Sequence, residues 1–296
     1  MDYITAKSIV SNYREDDNWF GNNYNMNIYK GCCHGCIYCD SRSECYGIEK
    51  FDEVRAKENS LEIINKELKS KRRTGVISTG SMSDPYNPFE KKYNLTGRAL
   101  EIVNNYGFGI DIATKSDLIV RDIEVLQKIK EHSPVLCKIT ITTIDDELCK
   151  KIEPNVCVTS KRFEAIRRLS DAGIYTGVLL MPILPFINDT EENILSVVRK
   201  AKKCGAKFIY PLFGLTLRNK QRDYFFKSLD NNFYGVKERY LKTYGNEYLC
   251  LSHNANYLYK VLSNECKKLG LLYNMKDIIE DYKKGYYNEQ ISLFDM

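Results

Sequence analysis

The chain has 296 residues, 43% hydrophobic and 28% charged, which is enough apolar material for a full core in one large domain or two ordinary ones. No apolar run approaches the roughly 20 residues of a membrane-spanning helix, and the N-terminus lacks an apolar signal core, so a cytoplasmic location is expected. A net charge of +5 is compatible with a nucleic-acid partner but far below what would demand one. Residues 1–24 read as an N-terminal segment. From about residue 25, short β-type runs alternate with helical patterns. Strands are expected over 26–30, 75–79, 109–114, 135–143, 176–181 and 208–213, and helices over 56–69, 96–105, 117–131, 162–172 and 190–203. Asp117 and the run Asn188-Asp189-Thr190 supply helix starts. Six strand–helix units predict an α/β fold, a partial (β/α)6 TIM-like barrel over 25–217, with functional groups where strands pass into loops. Residues 218–285 read as a helical C-terminal extension, with helices over 223–229, 236–243 and 254–269, and the chain from 218 onward holds half of the 22 tyrosines. Residues 286–296 read as a tail.

The first expected strand leads into Gly31-Cys32-Cys33-His34-Gly35-Cys36-Ile37-Tyr38-Cys39-Asp40. Read from Cys32, the spacing is Cys-x3-Cys-x2-Cys. Three thiolates on one short loop can hold three corners of a cubic iron–sulfur cluster and leave the fourth iron open. Cys32, Cys36 and Cys39 are the expected ligands, with Cys33 a neighbour. Zinc would usually draw on a second separated pair, and none lies downstream. A thioredoxin-like couple needs two thiols, not four. The other seven cysteines of the 11 are scattered singly, which is no disulfide framework.

These residues, with the strand–helix alternation, resemble the radical S-adenosylmethionine (SAM) superfamily, whose defining loop is Cys-x3-Cys-x-aromatic-Cys. The wider stretch from Asn27 to Cys39 is similar to the branch that contains spore photoproduct lyase. Further matches lie at Thr79-Gly80-Ser81-Met82-Ser83-Asp84-Pro85-Tyr86 and at Glu164-Ala165-Ile166-Arg167-Arg168-Leu169-Ser170-Asp171-Ala172-Gly173-Ile174. The resemblance implies a 4Fe-4S cluster and SAM as cofactors. It implies reductive cleavage of SAM to a 5′-deoxyadenosyl radical, which takes a hydrogen atom from a substrate. It also implies an external flavodoxin or ferredoxin as electron donor. In spore photoproduct lyase a cysteine beyond the second strand donates hydrogen. Here that region reads Gly80-Ser81-Met82-Ser83, without a thiol, so thymine-dimer reversal is not the expected activity.

For SAM, the resemblance turns attention to the strand ends. Gly80 and Ser81 allow close backbone approach, and Asp84 is placed to accept from the methionyl ammonium. Lys115 can pair with the methionyl carboxylate. On the fourth strand Lys138, Thr140 and Thr142 share one face, against Cys137, Ile139 and Ile141 on the other. Thr140 and Thr142 are expected to reach the ribose or carboxylate, and Met181 and Pro182 to pack on adenine. Arg162, Arg167 and Arg168 fall on a helix expected to face solvent.

The tail segment Gln290-Ile291-Ser292-Leu293-Phe294 is similar to the short peptide by which bacterial repair proteins bind the DNA sliding clamp, with Gln290, Leu293 and Phe294 as anchors. Basic runs at 69–73, 218–222 and 283–284, together with the tail, favour a DNA-related substrate. Modification of RNA, protein or a small molecule, and a non-catalytic metal-binding module associated with DNA, are the alternatives.

Overall fold

The computed structural model describes residues 1–13 and 19–286. Gln290, Leu293 and Phe294 therefore lie outside the described residues. The N-terminal part holds β1 (Asp2–Ile4), β2 (Val10–Asn12), a turn over Trp19–Gly21, β3 (Tyr24–Met26), β4 (Tyr29–Lys30) and β5 (Arg55–Lys57). Then follow α1 (Ser60–Ser70), β6 (Val76–Thr79), α2 (Glu90–Tyr93), α3 (Leu95–Asn105), β7 (Gly109–Thr114), α4 (Ile123–Lys130) and β8 (Val135–Thr140). Next come α5 (Asp146–Ile152), α6 (Thr159–Asp171), β9 (Thr176–Leu180), α7 (Glu191–Lys203), β10 (Phe208–Pro211) and β11 (Gly214–Thr216). The C-terminal part is α8 (Gln221–Asn232), α9 (Val236–Tyr244), β12 (Leu249–Leu251), α10 (Ala255–Leu269) and α11 (Met275–Lys283). No helix among the described residues is long and apolar enough to cross a membrane.

The main sheet runs β10-β9-β8-β7-β6-β3-β2. From β3 to β10 every pairing is parallel and the strands follow chain order, which is the wall of a six-unit partial barrel. β2 closes one edge antiparallel to β3. Parallel strands covered on both faces bury every residue, and all six residues of β8 are buried.

Alternation sorts the side chains. Ile77, Ile110, Ile112, Cys137, Ile139, Val178, Leu180 and Ile209 join the outer core beneath the helices. Val76, Leu136, Leu179 and Phe208 form a separate inner cluster with Phe20, Ile278 and Tyr282. α7 shows how a covering helix is specified. The Thr190 hydroxyl accepts from the backbone N–H of Asn193, Ile194, Val197, Val198 and Ala201 make the buried stripe, and three lysines fill the last turn.

The barrel floor joins both ends of the described chain. The Tyr282 hydroxyl donates to the Phe20 carbonyl at 2.7 Å, and the Lys283 ammonium donates to the Gly21 carbonyl. Trp19 and Phe20 pack edge-on against each other and against Tyr210.

Several expectations are corrected. The expected strand over 26–30 is two strands in different sheets, because β4 turns away to pair with β5. The helix expected from residue 56 begins at Ser60, since Arg55–Lys57 is extended and paired on both sides. The strand expected to 143 ends at Thr140. Ser116, not Asp117, caps the turn that precedes α4. Arg162 does not face solvent: it is wholly buried, 2.6 Å from Glu153. The C-terminal part also carries β12, antiparallel to β11.

Candidate active site

The cysteine loop leaves β4 through Gly31, where φ is +82° and a side chain would collide with the backbone carbonyls of Phe51 and Glu53. Backbone bonds anchor the loop at two places, Cys32 N–H to Phe51 C=O at 2.8 Å and Ile37 N–H to Ile152 C=O at 3.0 Å. A second loop, after β6, is tied to it by Ser83, whose hydroxyl donates to the Gly31 carbonyl at 2.6 Å. Gly80 starts that second loop at φ +98°, so close to Ala113 that a methyl group would collide with its carbonyl oxygen.

Between the two loops lies a cavity of about 80 Å³. Cys32, Cys36 and Cys39 line it together with Gly80, Ser81, Asp84, Lys115 and Thr140. Cys33 is half-buried and is absent from that lining, so the structure separates it from the other three. Burial pushes the Cys32 thiol up to about 12, with Asp84 adding to the rise, and raises Cys36 and Cys39 as well. Metal binding must therefore displace protons. The thiols stand around a space rather than converging on a point. Among the described residues no three His, Cys, Asp or Glu groups are close enough to hold a single ion. Sulfurs at separate positions around a cavity fit the corners of a polynuclear cage, and the opposite wall carries no fourth thiol.

Asp84 is fixed in place. Its Oδ1 accepts from the Thr114 hydroxyl at 2.6 Å and the Tyr86 N–H at 2.9 Å, and its Oδ2 accepts from the Lys115 N–H at 2.9 Å. His34 Nδ1 lies 3.5 Å from the same Oδ2. Burial would lower the Lys115 ammonium, but Cys36, Glu153 and Asp84 hold it above its ordinary value. It is a fixed positive charge on this wall.

The small cavity adjoins a larger one of about 410 Å³, with Cys39, Gly80, Ser81, Lys115 and Thr140 in both linings. Its volume suits a ligand of cofactor or drug size. Trp19, Tyr38, Lys138, Met181, Pro182 and Tyr248 complete its walls. Of the expected SAM residues, Gly80, Ser81, Asp84, Lys115 and Thr140 thus come together. Thr142 does not. It is buried beyond the end of β8, lines neither cavity, and its carbonyl accepts from Asn188 and Asn193.

Sequence reasoning missed the group behind the loop. The Tyr38 hydroxyl donates to Glu153, Glu153 pairs with Arg162, and Arg162 also donates to the carbonyls of Thr140 and Cys157. A signal existed: Arg162 shares the buried stripe of Ala165, Ile166 and Leu169 on α6. Trp19, far up the chain from the cysteines, gave no such signal.

The family model described as the radical SAM superfamily matches residues 26–214. An uncharacterised protein of Methanocaldococcus jannaschii is 34% identical over 177 residues, covering 59% of this chain and 65% of that one. The chain thus spans a little under two thirds of that relative. An uncharacterised protein of Mycobacterium bovis is 27% identical over 228 residues, covering 75% of this chain and 67% of the relative. A radical SAM Nα-GlyT isomerase of Pseudomonas phage M6 is 23% identical over 182 residues, 62% of this chain and 37% of that protein. Among solved structures, spore photoproduct lyase complexed with dinucleoside spore photoproduct superposes with a TM-score of 0.66 at 14% identity, covering 92% of this chain and 81% of that one. The fold, the cysteine loop and the family match over 26–214 lead to one conclusion: the chain belongs to the radical SAM superfamily of enzymes.

Proposed function

We propose that this chain holds a 4Fe-4S cluster on Cys32, Cys36 and Cys39, cleaves SAM reductively, and directs the resulting radical at a nucleic-acid substrate. The observation that carries the reading is the pair of adjoining cavities, one walled by three thiols and one large enough for a nucleotide-sized ligand. When bound, the cluster and SAM supply a 5′-deoxyadenosyl radical. The residues of this chain do the rest. Gly80 and Ser81 leave room for close backbone approach, while Lys115 offers its charge to the methionyl carboxylate. Asp84, whose three hydrogen bonds leave one lone-pair site on Oδ2, serves the ammonium. Thr140 presents a hydroxyl to the ribose, and Met181 with Pro182 an apolar wall to the adenine. Trp19 and Leu179 give the cavity an apolar wall that limits water beside the bound ligand.

Support for a nucleic-acid substrate comes from the similar lyase structure, which holds a dinucleoside photoproduct, and from the basic bias of the chain. Arg218 donates to the hydroxyl of Tyr248, a residue of the larger cavity's lining, at 2.7 Å. Cys39 is the one cysteine among the residues lining the large cavity, so no thiol free of cluster duty is placed to return a hydrogen atom. The reaction is accordingly read as something other than thiol-terminated dimer reversal. A flavodoxin or ferredoxin is the proposed electron donor. The tail anchors Gln290, Leu293 and Phe294 are proposed to bind a sliding clamp, and equal clamp recovery by Leu293→Ala/Phe294→Ala in a pull-down would remove that partner.

The test is anaerobic. Iron-loaded protein with SAM and dithionite should release 5′-deoxyadenosine, and deuterated DNA should pass label into it. A colourless zinc protein, or an iron-loaded one that releases no deoxyadenosine, would sink the reading. Label transfer from deuterated RNA or small molecules but never from DNA would move the substrate class.

A further inference from the structure

Beneath the SAM-facing wall, the middle of β8 carries a charge that the proposed reaction leaves unused. Lys138 is wholly buried, with Nζ 2.5 Å from Asp111 Oδ2 on β7. Asn22 donates to the same oxygen at 2.6 Å and, with the same amide, to the Trp19 carbonyl at 2.8 Å. The ammonium lies 4.1 Å from the centre of the Phe20 ring and 5.7 Å from that of Trp19. Lys138 and Trp19 both line the larger cavity, with Ser78 and Leu179 beside them.

Burying such a pair costs several kcal/mol per ion, and well-packed apolar residues in its place often leave a protein as stable or more so. Stability is therefore a weak reason for its presence. An ammonium has three N–H donors, and Asp111 is the acceptor within hydrogen-bond distance among the described residues. The remaining donors belong to a group at a cavity wall. Because Asp111 already balances the charge, a neutral acceptor suits the site better than a full anion. The indole of Trp19 adds a flat face on which a ring can stack.

We propose that Lys138, set by Asp111 and walled by Trp19, reads a neutral carbonyl oxygen on a flat ring of the substrate. This deepens the nucleic-acid reading and rests on it: the element recognised is a nucleobase with a ring carbonyl, rather than sugar or phosphate. Lys138 is then a specificity-determining residue on the cavity wall.

Trp19 is the one tryptophan of the chain, so its emission reports the site directly. Anaerobically reconstituted protein with SAM is titrated with a thymidine trinucleotide and, separately, with a deoxyadenosine trinucleotide, whose base has no carbonyl. The thymidine probe should change the emission saturably and bind more tightly than its counterpart. Lys138→Met/Asp111→Asn removes both charges of the pair together and keeps an acceptor for Asn22. It should weaken thymidine binding by on the order of tenfold or more, as loss of a charge-assisted hydrogen bond does, with adenine binding and SAM affinity unchanged. Equal thymidine affinity in a double variant with full iron and SAM binding overturns the proposal. So does a wild-type protein with no preference between the probes, a comparison that needs no variant to fold. Formation of 5′-deoxyadenosine is scored on the same preparation. Its absence counts against the proposed reaction, whereas a missing base preference with deoxyadenosine intact counts against this inference alone.

Discussion

Gly80 occupies a backbone conformation that L side chains rarely adopt, and the Ala113 carbonyl fills the place of any Cβ. Gly80→Ala should lower folding stability by about 1–3 kcal/mol, read by denaturant unfolding, and weaken SAM binding by displacing the loop from Ala113, read by equilibrium dialysis. The four cysteines of the loop allow a sharper comparison. Alanine at Cys32, Cys36 or Cys39 should strip the protein of iron, whereas Cys33→Ala should retain it, because Cys33 does not line the small cavity. Iron analysis after anaerobic reconstitution decides. The cysteine trio was legible in the sequence because spacing on one short loop is itself geometry. Thr140 and Lys138 were legible as cavity-facing through the two-residue period of a strand. The link between Lys138 and Asp111 was not, since it joins residues 27 apart on neighbouring strands.

At the scale of elements, α6 turns a charge inward, and its effect on stability has a sign. Burial would raise the Glu153 carboxyl, but Arg162 and Lys115 more than reverse this and hold it below the usual carboxylate range. A depressed carboxylate contributes stability that is full above the ordinary glutamate value of about 4.3 and is lost as pH falls through the lowered one. The double variant Glu153→Gln/Arg162→Met should therefore unfold with less dependence on pH across that acid window than wild type does. Arg162→Met alone takes from Glu153 its hydrogen-bonded cation and should cost about 3 kcal/mol, read by denaturant unfolding at neutral pH. The long parallel strands were readable because burial on both faces writes them as apolar runs. β4, β5 and β12 escaped because pieces of two or three residues carry no period, and their pairing depends on distant partners.

For the molecule as a whole, the floor of the barrel is shared property. Phe20 from the N-terminal part and Ile278 and Tyr282 from α11 pack under the strands with Val76, Leu136 and Phe208. Ile278 is fully buried, so Ile278→Ala should cost about 2–5 kcal/mol and shift the Trp19 emission, both followed in one denaturant titration. An unchanged midpoint would show that the floor does not depend on α11. The six-unit architecture was legible from strand–helix alternation. The floor was not, since nothing local in residues 19–21 announces partners 262 positions away.

That separation has a consequence for how the enzyme is made. As the chain leaves the ribosome, the strands and the cysteine loop exist well before α11 has been translated, and long-range closures form late. The inner face of the strands is thus covered by a helix translated after every strand of the main sheet. Until then Val76, Leu136 and Phe208 lack the cover that Ile278 and Tyr282 later provide.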